Sequence, residues 1–111
     1  MDNFKKQSNK GVLELGILKL LNSNDHYGYS LIQDIKQKTS GVIELKDGTL
    51  YPILYRLEDQ GKIESYWQTS SEGRGKPRKY YRITSKGEEA FVEMLQDYQK
   101  ISDAFQNLLN S

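Results

Sequence analysis

The sequence has no cysteine, so neither a disulfide framework nor a thiolate metal site can be built from it. It has a single histidine, His26, just ahead of a turn. No serine or carboxylate stands near it at a spacing that suggests a catalytic dyad, and a lone histidine among tyrosines reads as structural. No apolar run approaches the roughly 20 residues needed to cross a bilayer. The polar start, residues 1–7, has no apolar segment behind it, so a secretory signal is not expected and a cytoplasmic location is. The acids Glu88, Glu89, Glu93, Asp97 and Asp103 alternate with apolar positions of one helical pattern, which makes them a solvated face and not a metal site. An enzyme is therefore not expected, and neither is a cofactor or a metal ion.

What is present fits one small domain. At 111 residues, 36% hydrophobic and 28% charged, the chain is sized and composed for a modest, mainly helical core. The net charge of +1 hides a strong asymmetry. Residues 72–82 carry five basic side chains (Arg74, Lys76, Arg78, Lys79, Arg82) against one acid, whereas residues 86–111 carry two lysines against five acids. A concentrated basic patch is what an anionic polymer feels.

The most informative stretch is residues 47–61. Leu50, Ile53, Leu54 and Leu57 stand at i, i+3, i+4 and i+7, which predicts a helix with one apolar stripe. Tyr51, Pro52, Tyr55, Arg56 and Asp59 fall on its other faces. Proline lacks an amide hydrogen and is best tolerated in a first turn, which places Pro52 there and the cap near residues 47–49. Gly61 reads as the left-handed stop. Gly48 would let another backbone come close, and unpaired amides at the helix start attract anions.

Around this helix the chain falls into order. Residues 1–9 read as a polar, frayed arm, with Lys5, Lys6 and Lys10 as its basic members. Residues 10–22 form a helix apolar nearly all round, which needs cover on more than one side, as a second subunit would give. A second helix runs from about residue 29 to 39, with Leu31, Ile32 and Ile35 inward, and residues 42–46 are a small strand or an extended linker. Residues 63–70 and 78–84 form a β-hairpin whose tip holds glycine and basic residues. Ser85 and Glu88 make a capping box for a last helix. In that helix Phe91, Tyr98 and Phe105 repeat in one register and Met94, Ile101 and Leu108 in the other, an a/d seam for a second copy.

Helix, helix, short strand, helix, hairpin, long helix is the order of a winged helix-turn-helix, in which the third helix enters the DNA major groove and the wing touches the flanking backbone. The expected fold class is mainly α with a small β-hairpin. Residues 1–84 form the winged helix-turn-helix DNA-binding domain, and residues 85–111 the dimerisation helix.

Three groups of residues then carry a family likeness: Tyr27-Gly28-Tyr29; Gly48-Thr49-Leu50-Tyr51-Pro52 with Arg56-Leu57-Glu58 and Gly61; and Gly73 with Lys79-Tyr80-Tyr81-Arg82-Ile83-Thr84 and Gly87. In these the sequence resembles the PadR family of bacterial transcriptional regulators over roughly residues 11–91, and its single carboxy-terminal helix is similar to the short subclass. The resemblance implies a homodimeric repressor that binds a palindromic operator in double-stranded DNA, and for some members a small phenolic or aromatic effector that releases it. It also implies Thr49, Tyr51 and Pro52 at the groove, with Gly48 as a DNA-side residue that lets them come close, Lys79 and its neighbours Arg74, Lys76 and Arg78 on phosphate, and the start of the first helix beside the backbone. Periodicity adds Tyr55 and Arg56 as outward-facing. Multidrug-binding members place a tryptophan in the last helix; here Trp67, the only tryptophan, falls in the wing strand instead. The alternative is a winged-helix module that docks a protein through the aromatic third helix, against which the basic wing speaks.

Overall fold

Aliphatic side chains at helical spacing meet at the centre of the molecule, which a computed structural model describes over residues 2–69 and 75–111, with side chains from residue 11 onward. In chain order the elements are α1 (Asp2–Ser23), β1 (His26–Tyr27), α2 (Gly28–Lys38), α3 (Asp47–Asp59), β2 (Ile63–Gln68), β3 (Arg78–Ile83) and α4 (Ser85–Leu109). Ile17, Leu18 and Leu21 of α1 meet Leu31 and Ile35 of α2 and the full apolar stripe of α3, and Ile63 and Tyr81 of the sheet close one side.

The stripe explains why α3 forms despite its composition. Burying Leu50, Ile53, Leu54 and Leu57 contributes about 1.5–3 kcal/mol per side chain. That total exceeds the helix penalties of about 1 kcal/mol for a glycine and about 3 kcal/mol for an interior proline. Pro52 is indeed interior: α3 starts at Asp47, with Lys46 as its cap residue and no side-chain cap bond, so the proline sits in the second turn and not the first. With no amide hydrogen at Pro52, the carbonyl of Gly48 has no i+4 donor.

The three strands lie in the order β1-β3-β2, each pairing antiparallel. His26 faces Tyr81 and Tyr27 faces Tyr80 on one edge of β3, and residues 63–68 run against 83–78 on the other. Strand β1 was not expected, because two residues are too short to show a period. Residues 42–46 are extended linker and not strand, held by the Ile43 amide donating to Thr39 Oγ1 at 3.1 Å and by burial of Leu45. The expected fraying of residues 1–9 also gives way, since α1 begins at Asp2; no glycine or proline interrupts the chain before Gly11.

The start of α4 differs from the predicted capping box. Thr84 is the cap, its Oγ1 accepting from the Gly87 amide at 3.1 Å and donating to the Gly61 carbonyl at 2.6 Å. Gly61, in the left-handed region at φ 74°, ends α3 as expected. Thr84 thus ties the end of α3 to the start of α4. Gly87 sits where a Cβ would collide with the Lys62 carbonyl oxygen and come within 2.7 Å of Ile83 Cγ1.

Phe91 is only 8% exposed and belongs to the core of its own chain, which corrects its expected place in the dimer seam. Met94 is half-buried against the same core. Beyond them Tyr98, Ile101, Phe105 and Leu108 are exposed. The radius of gyration is 15.6 Å, against roughly 13 Å for a compact domain of about 100 residues. At 1.5 Å per residue α4 is about 38 Å long, and with α1 it draws the molecule out to 59 Å.

Candidate nucleic-acid interface

On α3 the exposed residues are Asp47, Gly48, Thr49, Pro52, Tyr55 and Asp59. Gly48, Pro52, Tyr55 and Asp59 stand at i, i+4, i+7 and i+11 and so form one stripe. A Cβ built at Gly48 would have no atom within 4 Å. The chain's own packing therefore does not need glycine there.

Tyr51 is only partly on this surface. Its phenol lies over Gly28, where a Cβ would come within 2.9 Å of Tyr51 Cζ and collide with its oxygen. The ring centroid is 6.1 Å from that of Tyr55. Burial, with the charge of Asp47, raises the Tyr51 pKa, so the hydroxyl remains a donor at neutral pH. The glycine of the Tyr27-Gly28-Tyr29 motif is thus a seat for Tyr51, and the two motifs are one contact.

Arg56 is not free for an external ligand, contrary to its expected outward role. Its Nε and Nη2 donate to Glu14 Oε1 of α1 at 2.9 and 2.7 Å, and the carboxylate is largely buried. Such a pair joins α1 to α3 where both are partly desolvated. Substituting Arg56→Gln should lower unfolding free energy by about 1–3 kcal/mol while leaving the salt dependence of DNA binding unchanged. Parallel chemical denaturation and anisotropy titrations check this, and a shallower salt slope would return Arg56 to the interface.

The wing has two unlike faces, because alternate strand residues point to opposite sides. On one, Tyr66 stacks on Tyr80 with centroids 5.8 Å apart, Tyr27 meets Tyr80 edge-on at 5.3 Å, Arg78 caps Tyr27 at 4.6 Å and Arg82 caps Tyr66 at 5.1 Å. The Tyr66 hydroxyl donates to Asp25 and Arg82 Nε to Glu64, which satisfies the ladder locally. On the other face lie Ile63, Ser65 and Trp67, opposite Ile83, Tyr81 and Lys79. This face packs on α3: Ser65 Oγ donates to Glu58 Oε2 at 2.6 Å, and Tyr81 is 1% exposed with its pKa pushed up to about 12, chiefly by burial. The expected wing set is therefore divided. Lys79, its Nζ 5.7 Å from the Tyr81 ring, is on the α3 side, and Arg78 is on the far side over Tyr27. Lys76 is exposed beyond both. Arg74 lies outside the described residues, as do the side chains of Lys5, Lys6 and Lys10.

A helix with an exposed, proline-bearing amino half beside a cationic hairpin is the arrangement of a winged helix-turn-helix, and the family profile described as "Transcriptional regulator PadR-like family" matches residues 17–93. The chain belongs to that family. Among solved structures, this PadR-like chain is similar to a transcriptional regulator from Clostridium thermocellum, with TM-score 0.82 and 30% identity over 91% of this chain and 96% of that one. It is also similar to a PadR-like transcriptional regulator from Bacillus cereus, with TM-score 0.80 and 35% identity over 95% and 98%. The negative transcriptional regulator PadR of Bacillus subtilis is 28% identical over 83% of this chain, which spans only 50% of that protein's length. PadR-type proteins are DNA-binding transcriptional regulators and not enzymes.

His26 is not as isolated as its surroundings in the sequence suggested. Its Nδ1 is 2.6 Å from Ser30 Oγ and its Nε2 3.9 Å from Asp34 Oδ2, both on α2. The imidazole is buried, so the contacts pin β1 to α2 and keep the ring away from any external substrate. A groove of about 510 Å³ runs between α1, α2 and α4, walled by Val12, Leu15, Gly16, Ile35, Phe91 and Tyr98. Met94 faces a different hollow, with Lys62 and Lys86.

Proposed function

We propose that this PadR-like chain is a homodimeric repressor that reads a palindromic operator. The amino half of α3 enters the major groove with Gly48, Thr49, Pro52 and Tyr55, Tyr51 supports it from the Gly28 seat, and Lys76 and Lys79 bind flanking phosphates. The observation that carries this reading is the exposed stripe on α3. It exposes two residues that weaken a helix, Gly48 and Pro52, and the space around Gly48 within the chain would admit a side chain. Close approach by another molecule accounts for both. A glycine admits a phosphate or base edge to van der Waals distance.

Gly48→Ala tests the reading through two effects of opposite sign. Alanine should stabilise the helix by up to about 1 kcal/mol and weaken operator binding by on the order of 1–2 kcal/mol. Thermal melts and fluorescence anisotropy on promoter DNA from upstream of the chain's own gene read the two. Full operator affinity in the alanine variant would remove the stripe from the groove.

The groove between α1, α2 and α4 supports an added regulatory reading. An aromatic effector lodged against Phe91 and Tyr98 would bias the pitch of α4 relative to α1, and with it the separation of the two recognition helices.

A further inference from the structure

We infer that Trp67 is a DNA contact: its indole lies against the deoxyribose edge of the minor groove beside the half-site, an apolar foot next to the cation of Lys79. The inference rests on the DNA-binding reading and adds to it a residue that motif and charge did not select.

Its basis is the two-sidedness of the wing. Ile63, Ser65 and Trp67 share the face that packs on α3, and their cross-strand partners are Ile83, Tyr81 and Lys79. At the base of this face Ile63 and Tyr81 are buried and Ser65 bonds to Glu58 of α3. Two residues further out the strand has passed the core, and Trp67 is 68% exposed. A tryptophan kept for the stability of the sheet would sit on the opposite face, where Tyr27, Tyr66 and Tyr80 pack together under Arg78 and Arg82. Trp67 instead lies on the wing face that packs on α3 further in, directly across the hairpin from Lys79.

The chemistry of its surroundings selects the partner. Among the described wing residues beyond Tyr81 the charged ones are Lys76, Arg78 and Lys79, all cationic, and the carboxylate of Glu58 on α3 is engaged by Ser65. A flat apolar ring beside cations matches a sugar-phosphate edge, which presents an apolar deoxyribose between anionic groups. Apolar side chains do contact DNA at minor grooves, where some wedge between base steps.

Because Trp67 is the only tryptophan, its emission reports on the contact without a label. The full chain is titrated with promoter duplex from upstream of its own gene, and tryptophan emission is recorded alongside the anisotropy of end-labelled duplex. The expected result is an emission change with the same midpoint as the anisotropy. W67A then binds roughly tenfold more weakly, as for truncation of a buried interface tryptophan, with an unchanged melting temperature. Its salt slope stays at the wild-type value, whereas K79Q reduces the slope by about one phosphate's share. W67F keeps most of the affinity, which separates a ring contact from a folding defect. DNA bound by anisotropy with W67A at wild-type affinity overturns the inference alone, whether or not the emission responds. So does a W67F variant as weak as W67A. Absence of binding to any duplex overturns the DNA-binding reading and this inference with it.

Discussion

Gly87→Ala should lower the unfolding free energy by about 3 kcal/mol, at the upper end of what an overpacked methyl group costs. For a domain of this size that is a fall of about 10–20 °C in melting temperature. The residue lies in the first turn of α4, capped by Thr84. A methyl group there would occupy the space of the Lys62 carbonyl oxygen, and would stand 2.9 Å from its carbonyl carbon and 2.7 Å from Ile83 Cγ1. None of these can yield independently. The same carbonyl accepts the Thr84 amide at 3.0 Å, so moving it breaks the bond that aligns the strand with the helix start. The variant and wild type are melted at one protein concentration, because association would otherwise shift the midpoint. A midpoint within about 2 °C of wild type would mean that the helix start can slide away from β2, and that the junction is looser than its contacts indicate.

Gly87 also illustrates which parts of the molecule could be seen in the sequence. The apolar stripe of α3, the Gly61 stop and the hairpin depend on local spacing, and spacing survives in a one-dimensional string. The order of elements led from there to the winged helix, and α3 does expose Gly48, Thr49, Pro52 and Tyr55. What local spacing could not convey is the partner that each residue finds across the fold. Arg56 looked outward because its helical angle is near the edge of the exposed face, but Glu14, 42 positions earlier, holds it. Phe91 matched the heptad seam, and the core took it first. Arg78 and Lys79 are neighbours in one basic run, yet the period of a strand sends them to opposite faces, a separation that follows from the alternation of the hairpin itself. Gly28 and Tyr51 each stood out as motif residues, and only the fold shows that they touch.

The same loss of Phe91 to the core redefines the surface proposed for dimerisation, and the largest functional effect is expected there. With Phe91 buried and Met94 half-buried, the free seam begins at Tyr98 and continues through Ile101, Phe105 and Leu108, spaced three, four and three apart along one side of α4. Ile101 and Phe105 are 58% and 56% exposed and outside the core, so charging them removes little packing from the single chain. Ile101→Asp with Phe105→Asp should therefore leave helical circular dichroism intact and convert a dimer to a monomer in sedimentation velocity, since each aspartate would be buried unpaired in the mated interface. An operator with two half-sites binds a dimer through both at once, and a monomer forfeits the second, effectively intramolecular event. Affinity should fall by on the order of 10²- to 10⁴-fold, while binding to an isolated half-site changes little. The two measurements test separate steps. A double variant that still sediments as a dimer would place the interface elsewhere, with the apolar groove between α1, α2 and α4 as the next surface to charge. A monomeric variant with undiminished operator affinity would show that one wing and one α3 suffice, and that the two-fold match between protein and operator is not what binds.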